Sequence, residues 1–243
     1  MEIDNQNKTI DVIIPLCNQG KFILDAIKSV EAQTLKPGNI FIIDDGSTDD
    51  GKEIIAKYKD LSVIPLTYIY KKNGGPNSAR NIGVQLSNAY FLAFLDADDM
   101  WIEDKLEKQI EKFKSSIYEN VGLVYTKYNL INSNNKKISG KIVELDTDIQ
   151  GNAYKSLQKA NKILGSASSV LIKKEVFGTV GLFDENLKFA EDWDMWLRIS
   201  KKYDIDFVDK ILVSIRRHDK NNSKNILKKI TGKIKFIIKH YKK

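Results

Sequence analysis

Carboxylates collect at three places in this 243-residue sequence, each beside an apolar or aromatic run. The middle group is the densest: Tyr90-Phe91-Leu92-Ala93-Phe94-Leu95 runs straight into Asp96, Asp98 and Asp99. In extended chain, residues two apart point to the same side, so Asp96 and Asp98 are expected to repel each other unless a cation lies between or beside them. Hard oxygen ligands of this kind suit Mg²⁺ or Mn²⁺, ions that share their coordination sphere with substrate phosphates. The plainer alternative is that the acids end a strand and cap the helix that follows, with Asp99 as the cap of a helix starting near Glu103. A second group, Asp44-Asp45, follows Ile40-Phe41-Ile42-Ile43, and a third, Glu191-Asp192, precedes Trp193 and Trp196.

The elements that must position these acids follow from the apolar pattern. A short apolar run closed by polar residues reads as a strand buried on both faces, and its carboxyl end delivers side chains to the rim of the sheet, where open α/β sheets bind ligands. Ile10–Leu16, Ile40–Ile43, Val63–Tyr70 and Tyr90–Leu95 read this way, with Pro65 assigning the third to an edge or irregular position. Between them, Phe22, Ile23, Ala26, Ile27 and Val30 repeat at helical spacing to about Gln33. A second helix runs to about Lys59, with Ser47 or Thr48 as its cap, and a third covers Ser78–Leu86 behind the Gly74-Gly75-Pro76 loop. This alternation predicts an α/β fold with a doubly wound, mostly parallel sheet. The second half has a different texture. A helix around Leu106, Ile110 and Phe113 and strands at Val121–Leu130, Lys141–Leu145 and Ser168–Ile172 are expected. A short helix near Tyr154–Lys159 precedes the last of these strands, and a short helix over Lys174–Val180, a helix just after Glu191-Asp192, and two short strands, Ile205–Val208 and Ile211–Ile215, follow it. No linker separates two independent domains.

Composition is that of an ordinary soluble globular chain, 42% hydrophobic and 29% charged. No window approaches the ~18 uncharged apolar residues that span a bilayer, and Met1-Glu2-Ile3-Asp4 does not open a secretory signal. The single Cys17 excludes an internal disulfide framework and fits a reducing, cytoplasmic setting. The net charge of +7 equals the seven lysines of Ile226–Lys243, a segment without an acid, so the remaining body is formally neutral. That argues against a broad nucleic-acid-binding face.

Five stretches in order resemble the family 2 glycosyltransferases of the GT-A fold, of the bacterial surface-polysaccharide type. They are Val12-Ile13-Ile14-Pro15-Leu16-Cys17-Asn18, Ile42-Ile43-Asp44-Asp45-Gly46-Ser47-Thr48-Asp49 and Ser78-Ala79-Arg80-Asn81-Ile82-Gly83, then Phe94-Leu95-Asp96-Ala97-Asp98-Asp99 and Glu191-Asp192-Trp193-Asp194-Met195-Trp196-Leu197-Arg198. The resemblance covers about residues 10–218. It implies a GT-A domain over 1–218, with a nucleotide-sugar half to about residue 100 and an acceptor half over 101–218. A mobile polar loop and a basic tail then occupy 219–243.

The same resemblance implies roles. Asp45 would accept a hydrogen bond from uracil, with Asp44 supporting the strand end, and Pro15 and Asn18 would shape the loop under the base. Cys17 stands where the family usually has an aromatic residue, and base stacking of that kind is worth ~1–3 kcal/mol. Arg80 would pair with the diphosphate or with an acidic side chain. Asp96 would contact ribose, and Asp98 would hold the Mn²⁺ or Mg²⁺. Asp192, with Glu191 beside it, would be the base that takes the acceptor proton; it also suits a helix N-cap, and the two roles are compatible. His218 would complete the metal sphere or touch the diphosphate, or else be a surface histidine. Trp193 and Trp196 read as core, and His240 as a tail residue.

The implied activity is inverting, metal-dependent transfer from a nucleotide diphosphate sugar, UDP-linked, to a glycan or lipid-linked acceptor. Its rivals are a nucleotidyltransferase and a non-enzymatic polyanion binder. In the tail, Ile226, Leu227, Ile230, Ile234, Ile237, Ile238 and Tyr241 form one apolar stripe among lysines. That pattern fits either an anionic membrane surface, with the protein peripheral at its inner face, or packing on the domain or a partner chain.

Overall fold

The computed structural model describes residues 9–138, 149–219 and 226–241. The expected strand at Lys141–Leu145 and all of the expected polar loop except Asp219 lie outside them. The first half follows the apolar pattern closely: β1 (Ile10–Leu16), α1 (Gly20–Glu31), β2 (Asn39–Asp45), α2 (Gly51–Tyr58), β3 (Leu66–Lys71), α3 (Pro76–Leu86) and β4 (Phe91–Phe94). Then come β5 (Met100–Trp101), α4 (Lys105–Ser115), β6 (Val121–Ile131), α5 (Tyr154–Lys159), β7 (Val170–Lys173), α6 (Glu175–Val180), α7 (Glu191–Ser200), β8 (Asp204–Arg216) and α8 (Ile226–Tyr241).

The eight strands among the described residues join one sheet in the order β3-β2-β1-β4-β7-β6-β8-β5. β1 pairs in parallel with β2 and β4, and β2 with β3, while β7 runs antiparallel to both β4 and β6. β3 is the edge strand, as Pro65 required, and starts just after that proline. The chain winds outward from β1 to β3 and returns to the other side of β1 with β4. The switch in direction therefore lies between β1 and β4, and their carboxyl ends border the crevice where such sheets take ligands.

Alternation along the strands builds a core on each face. Val12, Ile14, Ile42 and Ala93 pack with Ile23 and Ile27 of α1 and Leu106 of α4. Ile13, Leu92 and Phe94 pack with Val84 of α3 and with Met195, Trp196 and Ile199 of α7. α3 lies so close to β1 that a Cβ on Gly83 would stand 2.5 Å from Ile13 Cγ2. Trp196 is wholly buried, so the core reading of that residue holds.

Four local expectations are corrected. Ser47 and Thr48 do not cap α2; they tie back to Asn18, and Asp49 instead accepts from the first N–H of both α1 (Gly20, 2.8 Å) and α2 (Gly51, 3.2 Å). The two short strands near the end are one strand, β8, because a register shift opposite Thr126–Lys127 absorbs Asp209 and Lys210 without breaking the pairing with β6. Asp99 does not cap α4, which follows Asp104; it is buried, for reasons given below. His240 is no loose tail residue: it bonds Asp194 at 2.7 Å and packs on Phe236.

Candidate active site

The loops after β1 and β2 are stitched together before any acid is placed. Asn18, held at φ 52°, donates its backbone N–H to Ser47 Oγ (3.0 Å) and accepts from Thr48 N (2.8 Å). Pro15 sits inside β1 opposite Ile43, and Cys17 is exposed at the strand's end, with Asn73 Nδ2 3.5 Å from its sulfur. Partial burial, with Asp45 and Asp44 nearby, raises the Cys17 thiol, which stays protonated at neutral pH.

Asp44 and Asp45 end β2 side by side but face different neighbours. Asp44 accepts from Ser47 N (2.8 Å) and Tyr68 Oη (2.6 Å), so it supports the strand end as expected. Asp45 is buried and pins the glycine loop: Oδ1 accepts from Lys71 Nζ (2.5 Å) and Gly74 N (2.7 Å), Oδ2 from Gly75 N (2.7 Å).

The chain after β4 does not stay extended. Asp99 N bonds Asp96 O at 2.9 Å, closing a turn, so Asp96 and Asp98 do not share one side of a strand as the spacing suggested. Each of the three carboxylates meets a different partner. Asp96 Oδ1 accepts from Arg80 Nη2 (2.7 Å) and Oδ2 from Ser166 Oγ (2.8 Å). Asp98 Oδ2 lies 2.8 Å from His218 Nε2. Asp99 accepts from Ser168 Oγ (2.7 Å) and from Arg216 N (3.0 Å). Burial, reinforced by Asp98 and Asp96, pushes the Asp99 carboxyl well above the usual range. Burial and Asp96 also raise Asp98, against the pull of His218. His218 is no surface histidine: its side chain is 7% exposed and its ring lies 5.1 Å from that of Phe22.

Arg80 joins the two halves of the chain. It is buried in α3, bonded to Asp96 and to Asn77 (3.3 Å), and its Nε has no partner among the described residues. Burial works against its charge, but Asp96, Glu191 and Asp192 outweigh that and hold the guanidinium protonated. Asn77 and Asn81 on the same helix bind the loop before α7: Asn77 donates to Asp184 O and Leu187 O, and Asn81 to Phe183 O. The third acid group is thus drawn to the first two by one helix. Glu191 and Asp192 are half-buried in the first turn of α7. Capping does not explain Asp192, because Ala190 is the residue before the helix and, among the described residues, Asp192 accepts only its neighbour's N–H, Trp193 N at 2.7 Å. Burial and then the Glu191 charge raise Asp192 to about 7, against Trp193 N–H and Arg80.

Ser166, Ser168 and Arg216 belong to this site and carried no role in the sequence reading. Arg216 is wholly buried, donates to Asp98 O (2.7 Å) and stacks over Phe22 (4.5 Å). Its signal was a position at the end of β8, two residues before His218. The serines offered none, since Gly165-Ser166-Ala167-Ser168-Ser169 reads as any polar turn.

The donor set for a cation is small. Among the described residues no three His, Cys, Asp or Glu side chains converge on one point. Asp98 and His218 together offer one carboxylate oxygen and one imidazole nitrogen, a pair that suits Mn²⁺ when substrate phosphates and water fill the other positions. The groove lined by Val84, Tyr90, Lys174, Phe177 and Leu182 is no rival site, because it sits at the opposite end of β4, away from every one of these acids.

Comparison with known proteins agrees with this arrangement. The model of "Glycosyl transferase family 2" matches residues 11–180. The chain belongs to that family. An uncharacterised glycosyltransferase of Rickettsia conorii is 36% identical over 212 residues, which is 85% of this chain and 32% of that protein. The Escherichia coli UDP-Glc:alpha-D-GlcNAc-diphosphoundecaprenol beta-1,3-glucosyltransferase WfgD is 31% identical over 200 residues, 82% of this chain and 73% of WfgD. Among solved structures, S. aureus TarS 1–349 in complex with UDP-GlcNAc superposes with a TM-score of 0.69 at 20% identity, covering 89% of this chain and 61% of that one. The last likeness establishes the GT-A fold. This family 2 chain spans about a third of the length of the R. conorii relative.

Proposed function

We propose that the chain catalyses inverting transfer of a sugar from a nucleotide diphosphate sugar, UDP-linked, to a hydroxyl of a glycan or lipid-linked acceptor in polysaccharide synthesis. The observation that carries this is buried Arg80: it is ion-paired with Asp96 at 2.7 Å, and the charges of Glu191 and Asp192 from the second half help hold it protonated. Asp192, raised to about 7, is matched to a general base working near neutral pH. It takes the acceptor's hydroxyl proton as that oxygen attacks the anomeric carbon. The bond from that carbon to the diphosphate breaks on the opposite side, which inverts the centre. Glu191 keeps Asp192 basic by its like charge.

Asp96 serves the ribose in this reading, and the loop shaped by Pro15, Cys17 and Asn18 lies under the base. Among the described residues Asp45 Oδ2 takes one hydrogen bond, from Gly75 N, and a carboxylate oxygen can take two, which would admit a uracil N–H. Asp98 and His218 would hold a Mn²⁺ or Mg²⁺ ion, which when bound supplies Lewis-acid neutralisation of the leaving diphosphate. The names of WfgD and of the TarS complex support a UDP-sugar donor, and that of WfgD a lipid-linked acceptor. Such an acceptor is presented at a membrane, and a cytoplasmic location at its inner face belongs to the same proposal. Nucleotidyl transfer is disfavoured because the first helix N-terminus, where a triphosphate would need to bind, already faces a carboxylate, Asp49 on Gly20 N.

Incubation with a panel of nucleotide sugars and Mn²⁺, monitoring nucleotide diphosphate release, tests the reading. Turnover with one donor is expected, and Asp192→Asn should lower kcat by at least ~10²-fold while donor Kd stays within about threefold. No release across the panel, with nucleoside triphosphate consumed instead, would overturn it.

A further inference from the structure

α8 is amphipathic twice over. One face docks: Phe236 is 1% exposed and stacks on Trp193 of α7 at 4.2 Å, while Gly232 lies so close to Phe189 that a Cβ there would come within 2.5 Å of the Phe189 Cβ. Lys239 and His240 reach Asp194 of α7 at 2.9 and 2.7 Å, and Tyr241 donates to Gln158 O. Residues 232, 236, 239 and 240 are spaced by three, four and eight, so they form a single stripe. The stripe that the sequence showed most strongly is not the one that docks. Ile230, Ile234, Ile237 and Ile238 lie away from the domain and are 53, 51, 47 and 51% exposed.

We propose that this outward face is an anchor lying in the surface of an anionic bilayer, with the four isoleucines among the lipids and the opposite face still clamped to α7. It deepens the membrane location proposed above by naming the surface, and it does not need glycosyl transfer to be right. The choice of occupant rests on charge. Segment 226–243 holds seven lysines and no acid, and the rest of the chain is formally neutral; of the seven, Lys239 is paired with Asp184 and Asp194 on the docked face. An apolar stripe bordered by lysines is complementary to lipid tails below anionic headgroups. A second copy of the same face would instead set lysines against lysines. The helix cannot cross the bilayer: none among the described residues is long and apolar enough.

The docked face makes this a rigid anchor and not a tether. α7 starts with Glu191 and Asp192 and is in direct contact with α8 through Trp193 and Asp194. A helix is ~10 Å across, so the base is held roughly one helix diameter above the surface on which a lipid-linked hydroxyl would arrive.

Flotation of the full chain with vesicles separates the outcomes. Phosphatidylcholine vesicles containing about 30% phosphatidylglycerol should bind it at least ~10-fold better than phosphatidylcholine alone, and high salt should weaken that binding. Ile234→Asp combined with Ile238→Asp should lower partition into the anionic vesicles by at least ~10-fold with an unchanged melting temperature, since both side chains are exposed. Failure of the parent chain to float, or equal flotation of the double variant, would overturn the proposal. So would a dimer in sedimentation equilibrium that the variant dissociates while neither form binds lipid, because the face would then belong to a second copy. Nucleotide diphosphate release in lipid-free buffer is read separately, so failure of the transfer reading and failure of the anchor cannot be confused.

Discussion

A carboxylate at the amino end of a helix is ordinarily held ionised by the N–H groups and dipole around it. Asp192 has that position and still sits at about 7, because burial and the adjacent Glu191 charge outweigh Trp193 N–H and Arg80. If it is the base, kcat/KM should fall on the acid side with an apparent midpoint near 7, and Glu191→Gln should move that midpoint down by about half a unit or more by removing a like charge. A pH–rate profile of the two proteins checks this; an unmoved midpoint would place the titration elsewhere. The same shift has a stability consequence whose sign is fixed by linkage. Between about pH 4 and 7 the folded state binds more protons at this residue than the unfolded chain, so its contribution to stability falls as pH rises and is fully unfavourable above 7. Asp192→Asn should therefore be more stable than the parent at pH 8, on the order of 1 kcal/mol, with the gain vanishing towards pH 4. Thermal melts across that range would show it.

α3 does most of the joining. It lies on β1 through Gly83, salt-bridges Asp96 through Arg80, and ties down 183–187 through Asn77 and Asn81. Gly83→Val would drive a side chain into Ile13 and lift the helix, with an expected loss of about 1–3 kcal/mol or more and weaker donor binding, measurable by denaturant melts and calorimetry. A helix over Ser78–Leu86 was legible with Ala79, Ile82 and Leu86 as its inner face, but Leu86 is 45% exposed and the buried face of α3 carries Asn77, Arg80 and Asn81 beside Ala79 and Val84. What it grips was not legible, because Asn77 and Asn81 act across more than a hundred residues of sequence. The same limit explains the other departures. Apolar runs reveal strands such as β1 and β2 because burial on both faces leaves a local pattern. Two-residue β5 is too short to leave one, and the shift within β8 is set by its partner β6. The turn after β4 hid in the three aspartates, whose spacing is the same in a strand or a turn. Their separate partners, Arg80, His218 and Arg216, come from elements that only the fold brings near.

The family match ends at residue 180, yet the acids read as the base lie in α7 at 191 and 192, and α7 is buttressed by α8 from still further along. In the proposed reading the proton acceptor therefore rests on a helix that α8 holds from outside the sheet. Asp194 shows how tight the clamp is. Burial alone would raise its carboxyl, but Arg198, Lys239 and His240 hold it below the ordinary value, so the ion pairs stabilise the docked helix at neutral pH and are lost as pH falls. Phe236→Ala removes the ring that covers Trp193 and should undock α8 without unfolding the sheet, since α8 adds no strand to it. Amide exchange should then accelerate in 226–241 and in the first turn of α7, kcat should fall about three- to tenfold, and donor Kd should stay within about twofold, because among the described residues the loops after β1 and β2 hydrogen-bond to one another and not to α7 or α8. If exchange accelerates in α8 while kcat is unchanged, α7 holds its own position and the tail is an anchor alone. If donor affinity falls with kcat, the coupling runs through Arg80 into the first half of the chain, and the two halves are less separable than their hydrogen bonds suggest.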